Sequence, residues 1–137
     1  MVVKIQREFL CSAMSDSKKR VLLVDDDEEI LEVVQLALLD RGYEVLLARD
    51  GAEALVRAER DAPDLIVLDV VMPKRSGFMV LDSIRKLHFR TPRIIMLTAN
   101  DEPRHRDFAA SRGIDAFLAK PFEIDELLTK VDACLQV

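Results

Sequence analysis

The sequence predicts an α/β fold: one doubly wound parallel sheet of five strands, covered on both faces by five helices. Three observations carry that expectation. Five short, mostly apolar runs recur along the chain: VLLV at 21–24, YEVLL at 43–47, LIVL at 65–68, RIIML at 93–97 and AFLA at 116–119. A turn and then a stretch with helically spaced apolar residues follow each run. The runs are largely continuous rather than alternating, which suits strands buried on both faces. Strands that alternate with helices imply a parallel sheet with right-handed crossovers.

Residues 1–19 show no sustained period. SDSKK at 15–19 reads as a polar lead-in, and Met14 offers an alternative start. This segment is expected to be either a dispensable extension or a short extra helix using Val3, Ile5, Phe9 and Leu10. Behind the first run, Ile30, Val33, Val34, Ala37 and Leu38 fall on one face of a helix, which Gly42 stops. Asp50-Gly51 opens a second helix through Ala54, Leu55 and Ala58, and Pro63 closes that segment. The loop VVMPKRSG leads to a third helix with Phe78, Leu81, Ile84 and Leu87 on one side. A fourth helix, capped by Asp101 with Pro103 in its first turn, is the least apolar; Phe108 and Ala109 carry its buried face. Gly113 ends it. The last helix places Ile124, Leu127, Leu128, Val131 and Leu135 at helical spacing, with Glu123, Asp125 and Glu126 where acids favour the helix dipole.

The totals fit this organisation. A chain of 137 residues suits one domain with a real core, and neither a linker nor a second domain is visible. The net charge of −5 gives no overall basic field for nucleic acid. Lys74-Arg75 and Arg104-His105-Arg106 read as solvated surface. Cys11 and Cys134 have no metal or redox spacing and suggest a reducing compartment. No apolar run approaches the ~20 residues needed to span a bilayer. Lys4, Arg7 and Glu8 break up any signal-peptide core. A soluble, cytoplasmic protein with no membrane association is expected.

The chemistry collects behind the strands. Asp25 and Asp26 follow the first run, Asp69 the third, Thr98 the fourth and Lys120 the fifth. In a doubly wound sheet the carboxyl edge binds ligands, at the point where strand order reverses. With order 2-1-3-4-5, that point lies between the first and third strands, and the three aspartates face each other across it. Taken singly, each residue has a plainer reading: a helix cap for Asp25 or Asp26, a turn for Asp69, a surface position for Lys120. Taken together they describe a site. Three close carboxylates repel unless they take up protons or bind a cation. Hard oxygen ligands favour Mg²⁺, with Mn²⁺ as a substitute. The Lys120 ammonium and the Thr98 hydroxyl would cradle an incoming phosphoryl group. A carboxylate can act as nucleophile and form an aspartyl phosphate, with catalysis resting on positioning and charge stabilisation.

VDDDEEI, LDVVMP with Gly77, LTA and KPF resemble the receiver domain of bacterial two-component response regulators. The resemblance covers about residues 20–135, with the motifs in the family's order. It implies a flavodoxin-like sheet of order 2-1-3-4-5 and a receiver domain over 20–137. Asp69 then matches the phosphoacceptor, which takes its phosphoryl group from the phosphohistidine of a sensor histidine kinase or a phosphotransfer protein. Asp26 matches the direct Mg²⁺ ligand, Asp25 the acid acting largely through water, and Val71 the position whose backbone carbonyl completes the metal site. Thr98 and Lys120 match the phosphate-contacting residues. The Lys120-Pro121 bond is expected to be cis. Phe117 matches an aromatic switch position where tyrosine is common; it lacks the hydroxyl that would latch it inside. From the residues alone, Phe117 is an ordinary core aromatic. Val70 and Asn100 match positions that tune dephosphorylation.

The resulting expectation is a two-state switch of the surface formed by the fourth helix, the fifth strand and the last helix. Phosphorylation adds roughly −1.5 to −2 charge at Asp69. Thr98 and Lys120 move toward the new oxygens and Phe117 follows. Output then passes to an effector protein or a missing output domain, and a homodimer through the same surface is possible. Two other readings compete. One is a metal-dependent phosphatase with an Asp nucleophile, against which Asp69-Val70-Val71 lacks a second aspartate. The other is an interaction module that accepts no phosphate.

Overall fold

In this computed structural model, residues 18–72, 76–87, 92–98, 107, 110, 111 and 113–135 are described. The strands are β1 (Arg20–Val24), β2 (Glu44–Ala48), β3 (Leu65–Asp69), β4 (Arg93–Thr98) and β5 (Ala116–Ala119). They form one parallel sheet of order β2-β1-β3-β4-β5. Helices α1 (Glu28–Asp40), α2 (Gly51–Asp61), α3 (Gly77–Leu87) and a C-terminal helix (Ile124–Leu135) complete the described architecture. Of the fourth expected helix, Asp107, Ala110 and Ser111 are helical. Its proposed apolar face (Phe108, Ala109), its cap (Asp101) and Pro103 lie outside the described residues. So do Asn100, the basic clusters at 74–75 and 104–106, and the possible extra helix at residues 1–17.

The continuous apolar runs have a simple cause: successive side chains serve two cores. Val21, Leu23, Leu65, Val67, Ile95 and Leu97 face one layer, with α1 and the C-terminal helix packed over them. Leu22, Val24, Ile66, Leu68, Ile94 and Met96 face the other, under α2 and α3. Fully burying one such aliphatic side chain stabilises the fold by roughly 1.5–3 kcal/mol, so both layers are needed to hold the sheet.

One expectation about helices is corrected, the buried face of α1, and the plainer reading of Asp25 or Asp26 as a helix cap is set aside. The cap of α1 is Asp27, not Asp25 or Asp26; its carboxylate accepts from the Glu29 and Ile30 amides. The buried face of α1 is Leu31, Val34 and Leu38, whereas Val33 is 46% exposed. The helix is apolar around most of its girth (Ile30, Leu31, Val33, Val34, Leu36, Ala37, Leu38, Leu39), so spacing alone admits more than one face. Packing against the C-terminal helix selects the one centred on Leu31 and Leu38. The last helix buries Leu127, Leu128, Val131 and Leu135, with Ile124 only partly covered. In α3, Val80 joins Leu81 and Ile84 in the core, and Phe78 packs at its margin.

The α1 layer is pinned at its far end by a polar cluster. The Tyr43 hydroxyl donates to Asp132 on the C-terminal helix, and Arg41 pairs with the same carboxylate. Burial, together with that hydrogen bond, raises the Tyr43 pKa well above its ordinary value.

Candidate functional site

Short backbone links carry the sheet past its formal ends and hold the rim residues in place. The Asp25 amide donates to the Ala48 carbonyl, the Val70 amide to Leu97, and the Lys120 amide to Thr98. The Gly77 amide donates to the Val70 carbonyl at 2.7 Å, folding the start of α3 back over the end of β3. That approach requires glycine: a Cβ at Gly77 would lie 2.2 Å from the Asp69 carbonyl oxygen, a backbone atom that cannot step aside.

On this rim the predicted acids converge. Asp25, Asp26 and Asp69 each offer a carboxylate oxygen, all within 4.8 Å of one another. Asp25 and Asp69 are buried and Asp26 is exposed, so the cluster opens to solvent through Asp26. The Lys120 ammonium donates to Asp25 at 2.9 Å and lies 3.3 Å from Asp69. Asp69 also accepts from the Val71 amide at 3.3 Å, and Asp25 from the Asp27 amide at 3.0 Å. Thr98 is fully buried at the end of β4, beside Ala119 in register. Phe117 pairs with Met96 across β4 and β5 and packs partly buried against the α2–α3 core. Val71 stands with its side chain exposed. The Lys120–Pro121 peptide is cis, as expected.

The electrostatics follow from this crowding. Burial pushes the Asp69 carboxyl from its ordinary 3.8 up to about 6, and the neighbouring Asp25 charge adds to the effect. The Lys120 ammonium and the Val71 N–H act in the opposite sense without cancelling it. For Lys120, burial disfavours the charge, but its hydrogen bond to Asp25 and the fields of Asp69 and Asp25 outweigh that and raise its pKa. A rim that strains to keep its carboxylates ionised suits a hard divalent cation, and three oxygen donors of this kind fit Mg²⁺.

The sequence-derived set is thus brought together: Asp25, Asp26, Asp69 and Lys120 in direct proximity, with Thr98 and Val71 on the same edge. The Lys120–Asp25 bridge and the cap at Asp27 went unread in the sequence. Asp27 had a detectable signal, since it directly precedes two glutamates and the first helical turn.

Fold and rim define a class of protein: a single α/β domain whose acids meet at the strand-order reversal between β1 and β3, with a lysine reaching in from the edge strand. Residues 21–132 match the family described as response regulator receiver domain. Among curated proteins, the chain is 42% identical over 118 residues to the alkaline phosphatase synthesis transcriptional regulatory protein PhoP of Bacillus subtilis, covering 86% of this chain and 49% of that one. It is also 42% identical over 117 residues to response regulator MprA of Mycobacterium leprae, covering 85% of this chain and 51% of that protein. The chain therefore spans about half the length of these curated relatives. Among solved structures, a CheY-like receiver domain protein from Methanospirillum hungatei superposes with a TM-score of 0.82 at 32% identity, covering 88% of this chain and 95% of that one. Chemotaxis protein CheY4 of Vibrio cholerae gives 0.79 at 35% identity, covering 86% and 99%. The chain belongs to the response regulator receiver domain family, and its fold is the flavodoxin-like one that the motifs implied. It is a signalling phosphoacceptor domain.

Proposed function

We propose that Asp69 is the acceptor, that Asp25, Asp26, Asp69 and the Val71 backbone carbonyl hold Mg²⁺ (or Mn²⁺), and that a phosphohistidine on a sensor kinase or phosphotransfer protein is the donor. The observation that carries this reading is the meeting of three carboxylates within 4.8 Å beside the Lys120 ammonium. An Asp69 oxygen attacks phosphorus; the P–N bond breaks and its electron pair returns to the imidazole. Mg²⁺, when bound, supplies positive charge to the phosphoryl oxygens. Lys120 is within reach of Asp69 to neutralise the transferred group, and Thr98 donates its hydroxyl to it. The new charge draws Thr98 and Lys120 inward, with Phe117 following as the switch residue, and reshapes the surface around β5 and the C-terminal helix. Water later releases the phosphate slowly at the same site, at a rate tuned by Val70 and Asn100.

A protein of this design works in the cytoplasm. Its output passes to an effector protein or output domain, without direct nucleic-acid contact by residues 20–137, and the face around the fourth helix, β5 and the C-terminal helix is open to use by a homodimer. Residues 1–19 are an extension to that domain. Among the described residues, no helix is long and apolar enough to cross a membrane. Incubation with acetyl phosphate and Mg²⁺ should label the protein with acid-labile phosphate, and Asp69→Asn should abolish the label. Undiminished labelling of Asp69→Asn would remove Asp69 from the role.

A further inference from the structure

The outer side of α1 is not covered by any described residue, although its composition suits an interface. Glu29, Val33, Leu36 and Asp40 follow one another at helical spacing along one flank, an apolar pair bracketed by acids. Leu36 is 64% exposed and Val33 46%. Beside them, Ile30 and Val33 form one wall of a groove of about 510 Å³, whose other wall is Pro121, Phe122 and Ile124. Lys120, the lysine of the acidic rim, lines the same groove.

From these observations we infer that the groove is the docking site of this chain's own residues 1–17. Three features select that occupant. Attachment comes first. The Lys19 carbonyl accepts from the Glu44 amide, and the Tyr43 amide donates to Leu38, so the segment joins the domain beside the last turn of α1. Reach is the second. From Asp40 back to Ile30 is about 15 Å of helix at 1.5 Å per residue, whereas seventeen extended residues span up to ~55–60 Å. Complementarity is the third. Residues 1–17 carry the apolar Val2, Val3, Ile5, Phe9 and Leu10, while Lys4 and Arg7 are balanced by Glu8 and Asp16, so the match is apolar. The flank offers the exposed pair Val33 and Leu36 to meet them.

The test uses the full chain and does not depend on phosphorylation. A nitroxide on Cys11, in a Cys134→Ser background, should bleach amide signals of Ile30, Val33, Leu36, Phe122 and Ile124 in ¹⁵N-edited spectra. The same label should spare α2 and α3. Val33→Glu with Leu36→Glu, both at exposed positions, should restore those signals with the rest of the spectrum unchanged. Bleaching that is absent, spread evenly or unaltered by the double substitution overturns the inference. So does bleaching of unlabelled ¹⁵N chains by mixed-in labelled ones, which would make a second copy the occupant. Acetyl phosphate labelling is measured alongside: its loss with bleaching intact would fault the phosphoacceptor reading and leave the docking standing.

Discussion

Replacing Asp69 with asparagine should stabilise the metal-free domain, and the gain should grow with pH. Folding raises the pKa of this carboxyl from 3.8 to about 6, through burial first and the Asp25 charge second. The folded state thus holds the proton more tightly than the unfolded chain. Stability is fully present below about pH 4 and declines as pH rises through the folded value, because the unfolded chain ionises at lower cost. Linkage at this single site gives a penalty of up to about 1 kcal/mol at pH 4.5 and up to about 3 kcal/mol at pH 8. Asparagine keeps the shape and has no charge to desolvate, so it should recover most of that amount. For a domain of this size, 1 kcal/mol moves Tm by about 3–6 °C. Thermal unfolding followed by circular dichroism, in EDTA, should therefore show Asp69→Asn melting roughly 10 °C above the parent at pH 8, with the gap closing to a third of that near pH 4.5. Mg²⁺ should raise the parent more than the variant, because the cation relieves the same repulsion. Equal Tm values at pH 8, or a gap that ignores pH, would refute the electrostatic account of the rim.

Other substitutions separate the parts of the site. Gly77→Ala forces a methyl group against the Asp69 carbonyl; it should cost about 1–3 kcal/mol in urea unfolding and slow acetyl phosphate labelling. Asp27→Ala removes the cap of α1 and should cost about 1 kcal/mol while leaving the labelling rate near that of the parent. Lys120→Met takes away the ammonium that lowers the Asp69 pKa, so an NMR titration should find Asp69 titrating higher, and phosphate uptake should fall sharply. Tyr43→Phe deletes the hydroxyl bonded to Asp132; it should lower stability by about 1 kcal/mol without altering Mg²⁺ affinity.

Much of this architecture can be read from residue order because the sheet is buried on both sides. Five largely continuous apolar runs leave little choice but a covered parallel sheet, and residues that end such runs fall on one edge. That is how Asp25, Asp69, Thr98 and Lys120 come to be nominated together. The reading is weaker where composition is degenerate. Eight apolar residues between Ile30 and Leu39 do not say which stripe of α1 meets the core, and Val33 was placed inward for that reason. Three consecutive aspartates likewise hide a division of labour: Asp27 serves the helix and thereby leaves Asp25 and Asp26 for the rim. The bridge from Lys120 to Asp25 spans 95 residues of chain, and only the assembled sheet brings the two together.

The strands that carry the reacting groups differ in how firmly they are held. Asp25 and Asp69 extend from β1 and β3, each with a paired neighbour on both sides. Phe117 lies in β5, a four-residue strand paired on one side only, and Lys120 directly follows that strand. The pocket is built like a vice with one jaw bolted to the bench and the other on a slide. On the function proposed above, charge gained by the bolted jaw would be answered by travel of the sliding one, and a message written at the centre of the molecule would leave by its margin.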